Sequence, residues 1–244
     1  MISLLKMLNN FREQFLLLTF ALFALITSVF VIVNFNAISY RIFVYAEKLG
    51  HSPEPYYNWL LGLVCFSFFT FLVSLFNSKS YLKIWLIKSF ITLIFMLLYE
   101  YKYGIDAYMY YTRAVYIDEI AFFYNATDNL IYFTKILTNF VGDSYYSLKI
   151  FYSFISFTGL VLLYKSYLYI LNQSQIKTTI EKDFMVILFL FPSILFWSST
   201  LGKDSLTLFF VGLFIFNFCK VIDNYKIINI IFLIISILVI YFIR

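Results

Sequence analysis

The sequence is poor in the residues that build metal centres and disulfide frameworks. Its 244 residues include one histidine, His51, and two cysteines, Cys65 and Cys219, which both lie inside apolar segments. Because zinc sites need several His or Cys ligands close together, a structural or catalytic zinc site is excluded. Two isolated cysteines in apolar segments are typical of packing thiols, so a disulfide framework is not expected.

Charged residues, glycine and proline are also scarce. Only 13% of the residues are charged, while 63% are hydrophobic and 23% are aromatic, and there are 7 glycines and 3 prolines. No soluble domain of this length can bury so much apolar surface, so the composition indicates an integral membrane protein in contact with the lipid bilayer. The net charge of +5 is spread over short loops, which is typical of membrane orientation and does not indicate a nucleic-acid partner.

Long apolar runs predict an all-α protein, a polytopic transmembrane bundle in one domain over residues 1–244. The runs lack the period-two alternation of outer-membrane strands, so helices are predicted and a barrel is not. At about 20 apolar residues per crossing, the chain accommodates about seven spans. The fifth is short and contains Pro192, so a kink or a partial crossing is expected there. The predicted spans lie near residues 15–35, 59–76, 84–101, 148–171, 184–197, 205–222 and 227–243.

The basic residues between the predicted spans set an orientation. A cytoplasmic N-terminus puts short, lysine-rich loops inside and long, acid-rich segments outside, as the positive-inside rule requires. The outer segments are then residues 36–58 and 102–147. The 102–147 loop is too aromatic for a free linker. It is therefore predicted to form short interfacial helices that lie on the membrane surface with their aromatic side toward the lipid.

A polar stretch lies between two of the predicted spans, at residues 191–206, with the sequence F-P-S-I-L-F-W-S-S-T-L-G-K-D-S-L. Charge at the edge of hydrocarbon is costly and usually functional. Lys203 and Asp204 stand at the start of a predicted helix, where a lysine beside free N–H groups forms a seat for a phosphate. Ser198 and Ser199 would add substrate-binding hydroxyls. The alternative is a polar hairpin turn in which Lys203 reaches the interface and Asp204 caps the helix.

A second polar segment opens the 102–147 loop with the sequence Y-G-I-D-A-Y-M-Y-Y-T-R-A. If it is helical, Asp106, Tyr110 and Arg113 fall at i, i+4 and i+7 and share one face. The Asp106 carboxylate would then be the catalytic group that deprotonates an acceptor hydroxyl, and Arg113 would bind phosphate oxygens. The alternative is a surface charge pair with tyrosines in the interfacial aromatic belt. The tyrosines that would stack on sugar rings are Tyr108, Tyr110 and Tyr111.

Other charged residues lie in or near the same segments. Lys88 lies inside the third predicted span and is expected to reach the interface with its ammonium group. Glu100 lies near the outer end of that span and is expected to face the same cavity as Asp106. Asp118 and Glu119 form either a solvated face or, together with Asp106, a site for a divalent cation. The cofactor is therefore left unknown, with a divalent cation as the candidate.

Together, the two polar segments resemble motifs of bacterial EpsG-like and Wzy-like polysaccharide polymerases, which are related in plan to GT-C glycosyltransferases. The resemblance covers residues 101–244 and includes the closing I-Y-F-I-R. It implies a multi-pass enzyme of the bacterial inner membrane that uses undecaprenyl-diphosphate-linked sugars at the outer face, with polysaccharide-assembly proteins as partners. It also assigns Asp106 to the acidic loop position, Lys203 and Asp204 to the polar hinge, and Arg244 to the basic position that closes the next span.

One departure from that pattern leaves a rival hypothesis open. Such polymerases usually continue for several more spans, whereas this sequence ends at Arg244, so a truncated or split product, or a fragment, is expected. The rival is a non-catalytic membrane subunit or remnant that binds lipid-linked glycan or partner proteins. A transporter would show paired broken helices in two related halves, and the sequence contains no such repeat.

The predicted orientation makes one spatial prediction. The segment with Asp106 and the turn with Lys203 emerge on the same outer side, so both are expected to line one pocket at the outer rim of the bundle. Glycosyl transfer from a lipid diphosphate needs an activated acceptor hydroxyl and a stabilised leaving diphosphate. A pocket that joins the two segments would supply both.

Overall fold

The computed structural model describes residues 21–22, 25–48, 50–51, 54–76, 78–103, 106–117, 125–174 and 188–244. All regular secondary structure in these ranges is helical, and no strand occurs in them. The all-α prediction is therefore confirmed for the described residues. Long apolar runs favour helices because every backbone N–H and C=O group then finds its partner within its own segment.

The helices follow one another through short connections. Residues 25–33 and 188–190 are also helical. Within the third named helix, Ile91–Phe95 forms a π-helical turn, a local widening that is frequent at functional sites. In chain order the named helices are α1 (Phe35–Lys48), α2 (Pro55–Ser74), α3 (Lys79–Tyr103), α4 (Ala107–Tyr116), α5 (Ala126–Val141), α6 (Tyr145–Ser174), α7 (Pro192–Trp197), α8 (Lys203–Asp223) and α9 (Ile227–Ile243).

Four of these helices, α2, α3, α6 and α8, are long and apolar enough to cross a membrane. Each carries at most two Asp, Glu, Lys or Arg residues in an apolar stretch of 18 residues. This length matches the roughly 20 residues that a crossing needs. The predicted spans that overlap them are those near residues 59–76, 84–101, 148–171 and 205–222.

The remaining three predicted spans have different outcomes. Residues 227–243 form α9, which is apolar but has only 17 residues. The predicted span at residues 15–35 lies mostly outside the described residues, although residues 25–33 are helical. The span predicted at residues 184–197 also begins outside them. Its described part is a helical stretch at 188–190 followed by α7, which has 6 residues.

Helix α6 forms the centre of the bundle and packs along both α8 and α2. Its crossing with α8 is close because each helix has a glycine at the contact. A Cβ atom added at Gly159 of α6 would lie 2.5 Å from the Phe209 Cα atom of α8, and one added at Gly212 would overlap the Gly159 carbonyl group. Small residues at such crossings let helix backbones approach within a membrane.

Replacement of Gly212 by Ala is expected to destabilise the α6–α8 crossing. The added methyl group has no space beside Gly159, and overpacking costs about 1–3 kcal/mol. Thermal unfolding of the purified protein in detergent measures the loss as a lower melting temperature. Gly202→Ala is the matched control, because its Cβ would make only an ordinary contact of 3.7 Å with Thr200 Oγ1. An unchanged melting temperature for Gly212→Ala would contradict the crossing described.

The segment at residues 36–58, predicted as an outer loop, contains α1 and the start of α2. Ile38, Phe43 and Ala46 of α1 are buried, and α1 packs against α4. A helix of 14 residues is too short to cross a bilayer. The span criterion therefore overlooked it, although it contributes to the core.

The described part of the 102–147 loop contains α4 and α5, but its tyrosines do not all face the lipid as predicted. Tyr108 and Tyr111 of α4 are buried, and their rings pack edge-on against Tyr145 with centroids 5.3 and 5.5 Å away. The expected lipid-facing aromatic side is therefore corrected for these two residues. Edge-to-face packing inside the protein removes more aromatic surface from water than an interfacial position does.

Candidate functional site

A cavity of about 440 Å³ lies where the start of α4, the start of α8 and the end of α9 meet. We call it the polar cavity. It joins the two polar segments that the sequence analysis singled out, since both Asp106 and Lys203 line it. The described residues that line it are Asp106, Ala107, Tyr110, Trp197, Thr200, Leu201, Gly202, Lys203, Asp204 and Arg244.

Among the described residues, two cations and two carboxylates line the polar cavity. Lys203 Nζ donates a hydrogen bond to Thr127 Oγ1 at 3.0 Å. Within the described ranges, neither it nor Arg244 forms a salt bridge with a carboxylate. Asp106, Asp204 and Arg244 are exposed. The charged groups of these three side chains are therefore accessible to a ligand.

The start of α8 adds backbone donors to the cavity. Gly202 precedes the helix in an extended conformation, with φ −176° and ψ 177°, and no side chain caps the first turn. The first N–H groups of a helix have no intrahelical partner, and the helix dipole is positive at this end. Because Lys203 is the first residue of α8 and lines the cavity, its ammonium group and these N–H groups can contact the same ligand. The alternative interpretation placed Asp204 at the cap of this helix, but the N-cap position is Gly202 and Asp204 lies within the first turn.

Asp106 and Tyr110 reach the cavity from one face of α4. The Tyr110 N–H group donates to the Asp106 carbonyl oxygen at 2.9 Å, which places both side chains on that face. The Asp106 carboxylate makes no capping hydrogen bond. Burial, together with the negative charges of Asp106 and Asp204, raises the pKa of Tyr110 above its ordinary value. The Tyr110 hydroxyl therefore stays protonated at neutral pH and can donate a hydrogen bond to a ligand.

Arg113 shares the helix with these residues but does not line the cavity. Its Nη2 atom donates to Asp128 Oδ1 of α5 at 2.8 Å, and its side chain is 35% exposed. Of the three residues predicted to share one face, Asp106 and Tyr110 therefore line the cavity, whereas Arg113 pairs with Asp128. Asp128 is held in place by Asn125, whose amide donates to Asp128 Oδ2, so the first turn of α5 offers Arg113 a fixed partner.

Tyr108 and Tyr111, which were also predicted to bind sugar, lie outside the polar cavity. The Tyr111 hydroxyl donates to the Asp143 carbonyl oxygen at 3.0 Å, and burial raises the pKa of Tyr111. Both rings are packed against Tyr145 and not against the cavity. Of the three predicted tyrosines, the structure places Tyr110 alone in the cavity lining.

Ser198 and Ser199 are buried and hold the turn between α7 and α8 in place. Lys88 Nζ of α3 donates to the Ser198 carbonyl oxygen at 3.0 Å, to Ser198 Oγ at 2.5 Å and to Ser199 Oγ at 3.4 Å. Ser156 Oγ of α6 donates to the same carbonyl oxygen at 2.7 Å. Lys88 is fully buried. It therefore does not reach the interface as expected, because the turn supplies acceptors inside the bundle.

The contact with Ser156 shows how deep this turn lies. Ser156 is about 16 Å along the axis of α6 from Tyr145, at 1.5 Å per residue, and Ser198 contacts it directly. The backbone therefore turns beside the middle of α6 after α7 and continues as α8. Irregular backbone at such depth is tolerated where it is buried in protein or lines a cavity. Here Ser198 and Ser199 are buried, and the next four residues line the polar cavity.

Replacement of Lys88 by Met is expected to loosen this turn. The change leaves the buried Ser198 and Ser199 hydroxyls without their donor, and an unsatisfied buried polar group costs roughly 1–3 kcal/mol. The measurement is the melting temperature in detergent. Lys83→Met is the matched control because Lys83 of the same helix is exposed. Equal melting temperatures for the two variants would show that Lys88 does not hold the turn.

A buried ion pair links α3 to α6. Lys149 Nζ lies 2.7 Å from Glu100 Oε1, and both side chains are fully buried. The ammonium group also lies 5.8 Å from the centre of the Tyr145 ring. Glu100 does not line the polar cavity, so the expectation that it faces the same cavity as Asp106 is not met. Glu100 instead pairs with Lys149 and so connects α3 to α6.

Sequence reasoning did not single out Lys149, Thr127 and Trp197, and it placed Lys88 at the interface instead of inside the bundle. Lys149 and Lys88 leave a detectable signal, because a lysine inside a long apolar run must find a partner within the bundle. Thr127, which accepts the hydrogen bond from Lys203, leaves none. Trp197 lies in the polar stretch and lines the cavity. Its indole was not singled out because an aromatic residue near a membrane interface is ordinary.

The chain was compared with known proteins in three ways. No protein-family model matches it. No curated protein and no solved structure matches it either. The interpretation of the site therefore rests on its own geometry, and the resemblance to EpsG-like and Wzy-like polymerases stays a prediction.

Metal binding at the site also stays a prediction. No group of three or more His, Cys, Asp or Glu side chains that could hold a metal ion occurs in the part of the chain that the structure describes. Asp118 and Glu119, which were considered as ligands, lie outside that part. The polar cavity itself offers two carboxylates, Asp106 and Asp204, and hard divalent cations prefer such oxygen ligands.

Proposed function

We propose that the protein is a membrane glycosyltransferase or polysaccharide polymerase that uses polyprenyl-diphosphate-linked sugars. The observation that supports it is the polar cavity, which combines the Asp106 carboxylate with two cations, Lys203 and Arg244, that form no salt bridge among the described residues. A carboxylate suits the activation of an acceptor hydroxyl. Two cations beside a helix N-terminus suit a diphosphate.

The transfer step uses these groups in distinct roles. The acceptor hydroxyl gives its proton to Asp106 while its oxygen forms a bond to the anomeric carbon of the donor sugar. The bond from that carbon to the diphosphate oxygen breaks, and the diphosphate leaves with the electron pair. Lys203, Arg244 and the first N–H groups of α8 stabilise the charge that develops on the leaving group. The protonated Tyr110 hydroxyl donates a hydrogen bond to a sugar oxygen.

The proposal includes a location. The protein would lie in the bacterial inner membrane with seven crossings and a cytoplasmic N-terminus, and the polar cavity would open at the outer face, where α4 and α5 would be interfacial helices. Four apolar helices support the membrane setting. The alternation of helix directions supports a common side for the cavity, since it lies at the start of α4 and α8 and at the end of α9.

The experiment that tests the function is a polymerisation assay in proteoliposomes. The purified protein is given a polyprenyl-diphosphate-linked oligosaccharide unit, and the length of the lipid-linked product is measured by gel electrophoresis. We expect products longer than the unit supplied. Folded protein that binds the lipid-linked unit but never extends it would contradict the proposal and would leave the non-catalytic subunit as the better description.

Removing either cation of the cavity is expected to weaken donor binding. In Lys203→Gln and Arg244→Gln, the diphosphate loses one charge-assisted hydrogen bond, which is worth about 1.5–3 kcal/mol, so KM for the donor should rise about tenfold to a hundredfold. Steady-state kinetics in proteoliposomes measure the change. Lys226→Gln is the matched control, because Lys226 is exposed at the start of α9, away from the cavity. A KM that stays the same in both cavity variants would remove the cations from donor binding.

A further inference from the structure

The first turn of α5 contacts every helix that contributes a charged residue to the polar cavity. None of the described residues that line the cavity belongs to α5. Side chains of residues 125–129 nevertheless form hydrogen bonds with α4, α8 and α9, the three helices whose ends meet at the cavity. We call these five residues the anchor turn.

Thr127 of the anchor turn holds the ammonium group of Lys203. The Lys203 Nζ atom donates a hydrogen bond to Thr127 Oγ1 at 3.0 Å. A threonine hydroxyl carries no charge, so it orients the ammonium group without neutralising it. Because an ammonium group has three N–H donors, Lys203 can donate to Thr127 and to an anion in the cavity at the same time.

The carboxylate of the anchor turn is directed to a different cation. Asp128 Oδ1 accepts a hydrogen bond from Arg113 Nη2 at 2.8 Å, and its Oδ2 accepts one from the Asn125 amide at 2.6 Å. The Asp128 N–H group donates to Asn125 Oδ1 at 2.8 Å, which fixes the position of Asp128 further. The negative charge is therefore paired with Arg113, which does not line the cavity, and Lys203 receives a neutral partner.

Asn129 fixes the end of α9, which carries the second cation of the cavity. Its Nδ2 atom donates to the Phe242 carbonyl oxygen at 2.8 Å. Arg244 follows two residues later, and its N–H group donates to the Ile240 carbonyl oxygen at 3.1 Å. The backbone that carries Arg244 is thus attached to α5. Two residues of one helical turn therefore hold Lys203 and the base of Arg244 relative to each other.

We propose that Thr127 and Asn129 are positioning residues for anion binding in the polar cavity. Thr127 acts through Lys203, and Asn129 acts through Arg244. The inference rests on the proposed function, in which the anion is the diphosphate of the donor. It explains why the position next to Lys203 holds a neutral side chain, since a carboxylate there would pair with the lysine and compete with the anion.

A double-mutant cycle tests the role of Thr127, with inorganic diphosphate as the probe. The purified protein is placed in nanodiscs of phosphatidylcholine, and Kd is measured by isothermal titration calorimetry. Thr127→Val keeps the shape of the side chain but removes the acceptor, so Kd should rise about threefold to tenfold. The same change should have no effect in a protein that already carries Lys203→Gln. Thr127→Ser, which restores the hydroxyl, should bind as the wild type does.

A second cycle tests Asn129. Asn129→Leu should raise Kd about threefold to tenfold in the wild type but not in a protein with Arg244→Gln. Thr138→Val is the matched control for both cycles. Thr138 is a half-buried threonine of α5 whose hydroxyl donates to the Lys135 carbonyl oxygen of its own helix, so Kd should stay unchanged.

Thr127→Asp separates positioning from folding. An acidic residue in the first turn of a helix interacts favourably with the helix dipole, so the melting temperature should not fall. The new carboxylate would pair with Lys203, and Kd should rise about tenfold or more, as in Lys203→Gln. If Thr127 only stabilised the fold, a variant with an undiminished melting temperature would bind diphosphate as tightly as the wild type.

The outcomes separate the positioning role from the proposed function. An equal rise in Kd for Thr127→Val with and without Lys203→Gln, or wild-type affinity in Thr127→Asp, would overturn the role of Thr127, and the same criterion applies to Asn129 with Arg244→Gln. Folded wild-type protein that does not bind diphosphate would overturn both roles. Product extension together with either result would leave the transferase in place. Coupling in both cycles without product extension would support the positioning residues and contradict the transferase.

Discussion

Replacement of Asp106 by Asn should lower the rate of sugar transfer by about 10²- to 10⁴-fold, the usual contribution of a general acid or base. The amide cannot accept the proton of the acceptor hydroxyl, while its size matches the carboxylate. Folding should be unaffected, because Asp106 is exposed and its side chain makes no capping bond. The measurement is the initial rate of product extension in proteoliposomes, with the melting temperature recorded on the same sample.

Asp143→Asn is the matched control for this variant. Asp143 is exposed, its backbone carbonyl oxygen accepts a hydrogen bond from Tyr111, and it does not line the polar cavity. Its replacement should leave the rate unchanged. Asp204→Asn tests the other carboxylate of the polar cavity. A full rate in Asp106→Asn would remove Asp106 from the mechanism, and a large loss confined to Asp204→Asn would assign the proton transfer to Asp204 instead.

Breaking the buried ion pair between Glu100 and Lys149 should produce the largest loss of stability. Removing one partner leaves an uncompensated charge in the interior and typically costs 3–5 kcal/mol, whereas replacing both by apolar residues is often neutral. We therefore expect Glu100→Gln and Lys149→Met each to lower the melting temperature strongly. The double variant Glu100→Leu with Lys149→Met should recover most of the loss. Thermal unfolding in detergent provides the measurement.

The ion pair of Arg113 and Asp128 is the comparison for this experiment. Its Nη2–Oδ1 distance of 2.8 Å is similar, but the arginine is 35% exposed. Ion pairs that are open to solvent contribute about 0–1 kcal/mol, so Asp128→Asn should have a much smaller effect. If the single variants at Glu100 and Lys149 were no worse than Asp128→Asn, or if the double variant were worse than both singles, the buried pair would not have the role described.

The sequence predicted the positions of the long helices well, but it predicted the contacts between them poorly. An apolar run of sufficient length leaves few alternatives to a helix in a membrane, which is why the predicted spans at 59–76, 84–101, 148–171 and 205–222 all fall on long helices. Such apolar runs do not indicate which face of a helix packs against which neighbouring helix. Lys88 illustrates the limit, because its acceptors come from a turn more than a hundred residues later in the chain.

The candidate site was predicted in outline for a related reason. Counting crossings places the segment with Asp106 and the turn with Lys203 on one side, and the structure brings them into one cavity. Residue spacing on α4 also placed Tyr110 beside Asp106 correctly. It failed for Arg113, since helix spacing contains no information about Asp128 on the next helix. The small cavity between α7 and the first turns of α8, which Ile194 and Leu208 line, could not be predicted, because it depends on how the two helices pack.

The account depends on the meeting of Asp106 and Lys203 in one cavity that opens outward. Cysteine crosslinking tests this most directly, with Asp106→Cys and Lys203→Cys combined in a protein whose Cys65 and Cys219 are replaced by Ser. A short membrane-impermeant bis-maleimide added to the outer side of intact cells should link the two positions, while a pair of Asp106→Cys with Lys226→Cys should not be linked. Absence of the first link, or a link formed only when the reagent reaches the cytoplasmic side, would contradict the account.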